Sequence, residues 1–247
     1  MRIGFALLLA LTAVVCTALV GCGGGGGGSL PDPIIRFINS SPDANPLDFH
    51  IDENTEATAL TYLSDSGDIT VDNGDSDISI WDNVSGDEID AIAFNLAQDK
   101  KYLAVALGLE TFGSELDKRL RVIAFTYDKN PPNGSKARLL IMHAYSRDAG
   151  FSTPDIDFQG GQVGSYDPNN PQYKQTGIAF GASTPSTLEV DANVALIFQA
   201  RRAETENVIA SEPTFTFDEG GIYLALVTGV ESGVGAQAPQ IKYIKLN

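Results

Sequence analysis

The sequence predicts an all-β protein built from two tandem antiparallel β-sandwiches. Three observations carry that prediction. After Pro31, short apolar runs and period-two alternation are broken roughly every 8–15 residues by Gly, Pro, Asn and Asp. No long stretch carries helical periodicity, and the best helix candidate, Ala200 to Ile209, is short and poorly amphipathic. The pattern then restarts half-way along the chain, with its anchors in the same order.

Ile34 to Ile38 is the first predicted strand. Leu47 to Asp52 alternates, which puts Leu47, Phe49 and Ile51 on one face and Asp48, His50 and Asp52 on the other. Ile78 to Trp81, Ala91 to Phe94, Tyr102 to Leu109 and Leu120 to Tyr127 complete a first sandwich over residues 34–130. Residues 131–136, Pro-Pro-Asn-Gly-Ser-Lys, have the chemistry of a linker. Residues 137–247 form the second sandwich. Ala137 to Met142 mirrors the first strand, and Pro154 to Phe158 mirrors Pro46 to Phe49. Tyr223 to Gly229 mirrors Tyr102 to Gly108, and Ile241 to Leu246 mirrors Leu120 to Phe125. Each half is about 100 residues, an ordinary size for a seven-stranded sandwich.

The amino terminus sets the compartment. Arg2 is a short positive region, and Phe5 to Val20 is almost wholly apolar. Such a run is too short and wrongly flanked to span a membrane and reads as a signal peptide over residues 1–21. Its ending, Leu19-Val20-Gly21-Cys22, resembles the lipobox of bacterial lipoproteins. That resemblance implies cleavage before Cys22 and attachment of a diacylglycerol to its thiol. Gly23 in the next position resembles lipoproteins of the outer membrane. Residues 22–33 then act as anchor and tether, because the run Gly23 to Gly28 has no side chains to pack and a high entropy cost for ordering. The expected location is outside the cytoplasm, on the periplasmic or surface side.

The only other cysteine, Cys16, lies in the segment removed, so the mature body is expected to hold itself by hydrophobic burial without disulfides. The net charge of −16 excludes nucleic acid as a partner, since that needs a basic footprint. It also disfavours a body lying flat on an anionic bilayer.

Arg36-Phe37-Ile38-Asn39-Ser40-Ser41-Pro42-Asp43-Ala44, followed by Leu47 to Asp52, resembles the opening of the bacterial domain of unknown function numbered 4397. That family reads Arg, two apolar residues, His, a small residue, Ser-Pro-Asp-Ala, then an apolar-Asp-apolar strand. Its later signature, a glycine turn before an apolar strand with an early Tyr, resembles Asp218 to Thr228. The second half keeps Arg138, His143-Ala144 and Ile156-Asp157-Phe158 but interposes Tyr145 to Phe151, and the first half has Asn39 where the family has His. The resemblance implies immunoglobulin-like sandwiches outside the cytoplasm and no established activity. If Asn39 and His143 are equivalent, the odd offsets of Arg36 and Arg138 from them turn both arginines to the same face.

Few residues suggest chemistry. With two histidines and no cysteine in the mature body, a zinc or other soft-metal centre lacks its ligands. Asp48, His50 and Asp52 share a strand face and could hold a metal, or be the polar side of a half-exposed strand. The tract around Asp72, Asp75 and Asp77 could supply oxygen ligands to calcium, but Asn-Gly-Asp-Ser is also turn chemistry and the helix-loop-helix calcium spacing is absent. No nucleophile motif surrounds Ser40 or Ser41. Phe151, Tyr166 and Tyr173, with Asp167 to Pro171, fall in a long loop that could meet a sugar or peptide, or cover a sheet edge. The expectation is a non-catalytic, membrane-anchored interaction module without a cofactor, whose partner is an envelope protein or glycan. The alternatives are an envelope hydrolase acting on glycan or peptide, and a calcium-dependent adhesin.

Overall fold

The computed structural model describes residues 30–111, 118–148, 151–211 and 214–247. The expected signal peptide, Cys22 and the run Gly23 to Gly28 lie outside the described residues. Pro31–Asn247 is one compact unit.

The chain is all-β. The first half contributes β1 (Ile34–Asn39), β2 (Leu47–Ile51), β3 (Asn54–Leu60), β4 (Ile69–Thr70), β5 (Gly74–Asp82), β6 (Glu88–Leu96), β7 (Lys101–Leu107) and β8 (Arg121–Tyr127). The second contributes β9 (Lys136–His143), β10 (Ile156–Gln162), β11 (Tyr173–Ile178), β12 (Ser186–Asp191), β13 (Ala195–Arg202), β14 (Val208–Ser211), β15 (Phe215–Thr216), β16 (Ile222–Thr228) and β17 (Gln240–Lys245). The segment read as a helix candidate is strand: it spans the end of β13 and the start of β14.

The strands form four sheets stacked as two sandwiches. An outer sheet, β3-β2-β5-β6, packs on an inner sheet, β4-β1-β7-β8. The second half repeats this order, with β11-β10-β13-β14 outside and β12-β9-β16-β17 inside. Each inner sheet carries one parallel pair, β1 with β7 and β9 with β16, where the sequence predicts a purely antiparallel arrangement. The reason is topological. Parallel neighbours need a long crossover, and here the crossover is the outer sheet itself.

The inner sheets are buried on both faces. Tyr102, Ala104 and Ala106 of β7 point into the first sandwich, while Leu103, Val105 and Leu107 point the other way. There they meet Leu140 and Met142 of β9 and Leu224 and Leu226 of β16 in a core shared by the two sandwiches. Strands covered on both sides read as continuous apolar runs, which explains why β7 and β16 do not alternate.

Register makes the halves comparable. Ile35 pairs with Tyr102 and Asn39 with Ala106, while Leu139 pairs with Tyr223 and His143 with Val227. Tyr102 is thus the counterpart of Tyr223, and Asn39 of His143. Arg36 and Arg138 both face the shared core and close it reciprocally. Arg36 donates from Nη1 to the carbonyl of Lys245 at the end of β17, 2.7 Å away. Arg138 donates from Nη1 to the carbonyl of Asn130 and to Asp128 Oδ2, just past β8, each at 2.9 Å. Burial alone would raise the Asp68 carboxyl, but hydrogen bonds from Lys101 and Arg36 hold it below the ordinary range. Gly108 and Gly229 end β7 and β16 at φ 101° and 107°. A methyl group at Gly229 would sit 2.5 Å from the Ala238 carbonyl, and one at Gly108 2.6 Å from the Lys118 carbonyl, so both turns require glycine.

Candidate binding surface

Alternation along β5 sends Ile78 and Ile80 into the first sandwich and Asp77, Ser79 and Trp81 onto its outer face. Beside them on β2 stands His50, whose ring stacks on Trp81 with centroids 5.1 Å apart and planes 21° from parallel. Trp81 Nε1 donates to Ser79 Oγ at 2.9 Å, which fixes the indole. A cavity of about 360 Å³ lies against Trp81, floored by Ser79 and Ala91. Its remaining lining is four carboxylates, Asp52, Glu53, Asp77 and Glu88. The face is open because β2 and β3 are joined by two residues only. Asp52 and Glu53 both take positive φ, 49° and 69°, the geometry of a tight hairpin turn.

The same face of the second sandwich is closed. Phe49 pairs with Ile80 and Phe158 with Ala200, so Gln159, Gln199 and Arg201 stand where the first sandwich has His50, Ser79 and Trp81. The hairpin β10–β11 is joined by residues 163–172, which fold back over the sheet. Gln159 Nε2 donates to Tyr166 Oη and to the Pro168 carbonyl, both at 3.1 Å, and Tyr166 Oη donates to Gln199 Oε1 at 3.2 Å. Gly161 stands where the first sandwich has Asp52, and a Cβ there would lie 3.2 Å from the Tyr166 ring. Tyr166 is therefore a covering residue. Tyr173, expected in the loop, begins β11 and is buried in the second core. Phe151 is exposed, with the Arg147 guanidinium 4.5 Å above its ring.

Other residues singled out by sequence serve local structure. Asp48 Oδ1 accepts the Ala59 backbone N–H at 2.7 Å, and Asp52 Oδ1 that of Asp77 at 2.8 Å. Asp75 Oδ1 accepts from Asn95 Nδ2 at 2.6 Å. Asp72 precedes β5 and Asp77 lies on the outer face. Among the described residues, no three His, Cys, Asp or Glu side chains converge to hold a metal.

The motif that opens the first half has a clear mechanical role. Asp43 accepts the backbone N–H groups of Glu110 and Thr111 at 3.0 and 3.1 Å, and the Thr111 hydroxyl. It pins the loop that follows Gly108. In the second half Asp148 accepts the backbone N–H and hydroxyl of Ser232, at 3.2 and 2.7 Å, and pins the loop after Gly229. Asn39 Nδ2 donates to the Leu60 carbonyl, and His143 Nε2 to that of Pro154, each at 2.9 Å. Burial pushes the His143 ring down to about 4, against a smaller upward effect of that hydrogen bond. His143 is a neutral donor holding a loop. Tyr102 and Tyr223 accept, through their hydroxyls, the N–H of the residue five positions earlier, Ala97 and Asp218.

Residues 33–151 match the family described as Domain of unknown function (DUF4397). The DUF4397 match takes in the whole first sandwich and β9. The loop-holding Asn39 and Asp43 lie within the matched segment, as does Trp81 on its open face. No curated protein sequence matches the chain significantly. Among solved structures, the chain is similar to a family 26 carbohydrate-binding module of Eubacterium rectale Amy13K in complex with maltoheptaose. That match has TM-score 0.25 and 11% identity, and covers 86% of this chain and 95% of the other. It is also similar to the Bacillus anthracis TIE protein, with TM-score 0.23 and 9% identity, over 79% of this chain and 33% of that one.

Sequence reasoning placed Trp81 on a strand but assigned it no role. The signal was available: alternation from Ile78 puts the single tryptophan on the polar side of that strand.

Proposed function

We propose that the chain is a non-catalytic interaction module of the bacterial cell envelope, lipid-anchored through Cys22, that holds an envelope protein or glycan on the outer face of its first sandwich. One observation supports this most. The two outer faces are built alike, yet one is sealed by the chain's own loop and the other presents the lone tryptophan beside a cavity. A half-buried aromatic lining a cavity on a rigid sheet, as Trp81 does, is a common anchor for recognition. The glycine run after Cys22 fits a module held off its membrane. In this reading the second sandwich is a diverged copy of the first that has become a rigid partner. The repeated strand order and the matched Tyr, Gly and Asp positions support that.

Labelling cells with a palmitate analogue tests the anchor: the wild-type protein takes the label and Cys22→Ala does not. Equal labelling of the variant overturns it. The expected result on glycan, peptide and ester substrate panels is no turnover. Turnover that disappears in His50→Ala, with circular dichroism unchanged, overturns the non-catalytic reading.

A further inference from the structure

The open face also indicates what it binds, if the outer-face reading above holds. The four carboxylates around the cavity make no ion pair among the described residues. Some carboxylates elsewhere in the body are matched to cations, as Asp68 is to Arg36 and Lys101, Asp191 to Lys136 and Asp218 to Lys245. No Lys or Arg lines the cavity. Like charges gathered without a counter-ion repel one another, and an incoming cation relieves that repulsion while a neutral ligand does not. The wall they surround is an indole, the best aromatic surface for a cation. His50 backs the ring and is absent from the cavity lining, so the cavity meets Trp81 itself.

The second sandwich supplies an independent comparison. At the corresponding place its lining is neutral or basic, Gln159, Gln199 and Arg201, and the occupant is the phenol of Tyr166. There Gln199 Oε1 accepts from both Arg201 Nη2, at 3.1 Å, and the Tyr166 hydroxyl, so the polar groups of the face are matched from within the chain. On the open face the sheet brings the aromatic ring and the carboxylates, and no cation stands among the lining residues.

We infer that the Trp81 cavity is a binding site for a cationic group, the lysine ammonium of a basic segment on a partner protein, held by cation–π contact with Trp81 and by the carboxylates of Asp52, Glu53, Asp77 and Glu88. Because Trp81 is the single tryptophan, its emission reports the site directly. The full chain in detergent is titrated with tetralysine amide and, separately, with neutral oligosaccharides. The expected result is a saturable change with tetralysine that weakens about tenfold between 50 and 300 mM salt. It falls at least about tenfold in Asp77→Asn/Glu88→Gln, and persists in Glu206→Gln/Glu219→Gln, an exposed acidic pair on the other sandwich. Equal loss in both double variants means diffuse attraction and overturns the site. A response to an oligosaccharide without one to tetralysine overturns the cationic assignment and leaves the outer-face reading standing. Silence toward both probes also overturns the assignment, and the outer-face reading is then decided by the envelope-binding comparison that closes the Discussion.

Discussion

The two sandwiches are alike where they face each other and unlike where they face outward. Inward, Leu103 and Leu224 occupy corresponding places on β7 and β16 and enter one core. Outward, one face carries Trp81 above a cavity and the other carries Tyr166 on a loop. Matching residues persist where a change would open water into a shared core. Divergence sits where a hairpin connection can lengthen at small entropic cost. The lesson is that one change, a two-residue turn against residues 163–172, separates a surface available to a ligand from one the protein covers itself.

The largest effect expected from this comparison is at the shared core. A carboxylate placed there has no partner and would have to remain charged in an apolar site or take up a proton. Leu103→Asp and Leu224→Asp are each expected to cost about 4–5 kcal/mol, and by similar amounts. Both variants and the wild type should melt in one calorimetric transition, because separating the sandwiches exposes both inner sheets. Two resolved transitions in the wild type, or one harmless variant, would show that the halves fold independently.

The next effect is smaller and depends on pH. His143 titrates at about 4 in the folded chain against an ordinary 6.5, so folding favours its neutral ring. Its contribution is whole above pH 6.5 and is lost as pH falls toward 4, because the unfolded chain takes up the proton first. The full span corresponds to up to about 3 kcal/mol. The first sandwich has Asn39 at this position and carries no such term. His143→Asn is therefore expected to flatten the loss of melting temperature between pH 7 and 4.5, and an unchanged slope would assign that acid sensitivity elsewhere.

Much of this fold was legible in the sequence. Ten strands follow from short apolar runs or from repeated anchors, and Leu47 to Ile51 alternates as it lies, half in and half out. Strands β3, β11 and β12 were not legible, because they carry polar residues such as Asn54-Thr55-Glu56 and are held by partners rather than by their own burial. β13 goes unassigned in the sequence because Arg201 and Arg202 follow an apolar run and blur its alternation. The parallel pairs were not legible either, since register is a property of two distant segments. For the binding surface, the acidic tract drew attention to Asp72, Asp75 and Asp77 through composition alone. The informative residue was Trp81, which composition counts once and alternation places outward.

The central claim is that the open face recognises and the closed face only supports. The most direct measurement compares Trp81→Ala with Tyr166→Ala, in the detergent-solubilised full chain, by melting temperature and by co-sedimentation with lipid-free envelope material. Trp81→Ala should change stability by less than about 0.5–1 kcal/mol while weakening envelope binding at least about tenfold. Tyr166→Ala should cost about 1–3 kcal/mol, through the lost packing of its ring over the sheet and the loss of its two hydrogen bonds with Gln159 and Gln199, with envelope binding unchanged at temperatures where it is folded. Unaltered binding in Trp81→Ala, or equal loss of binding in both variants, would contradict the account.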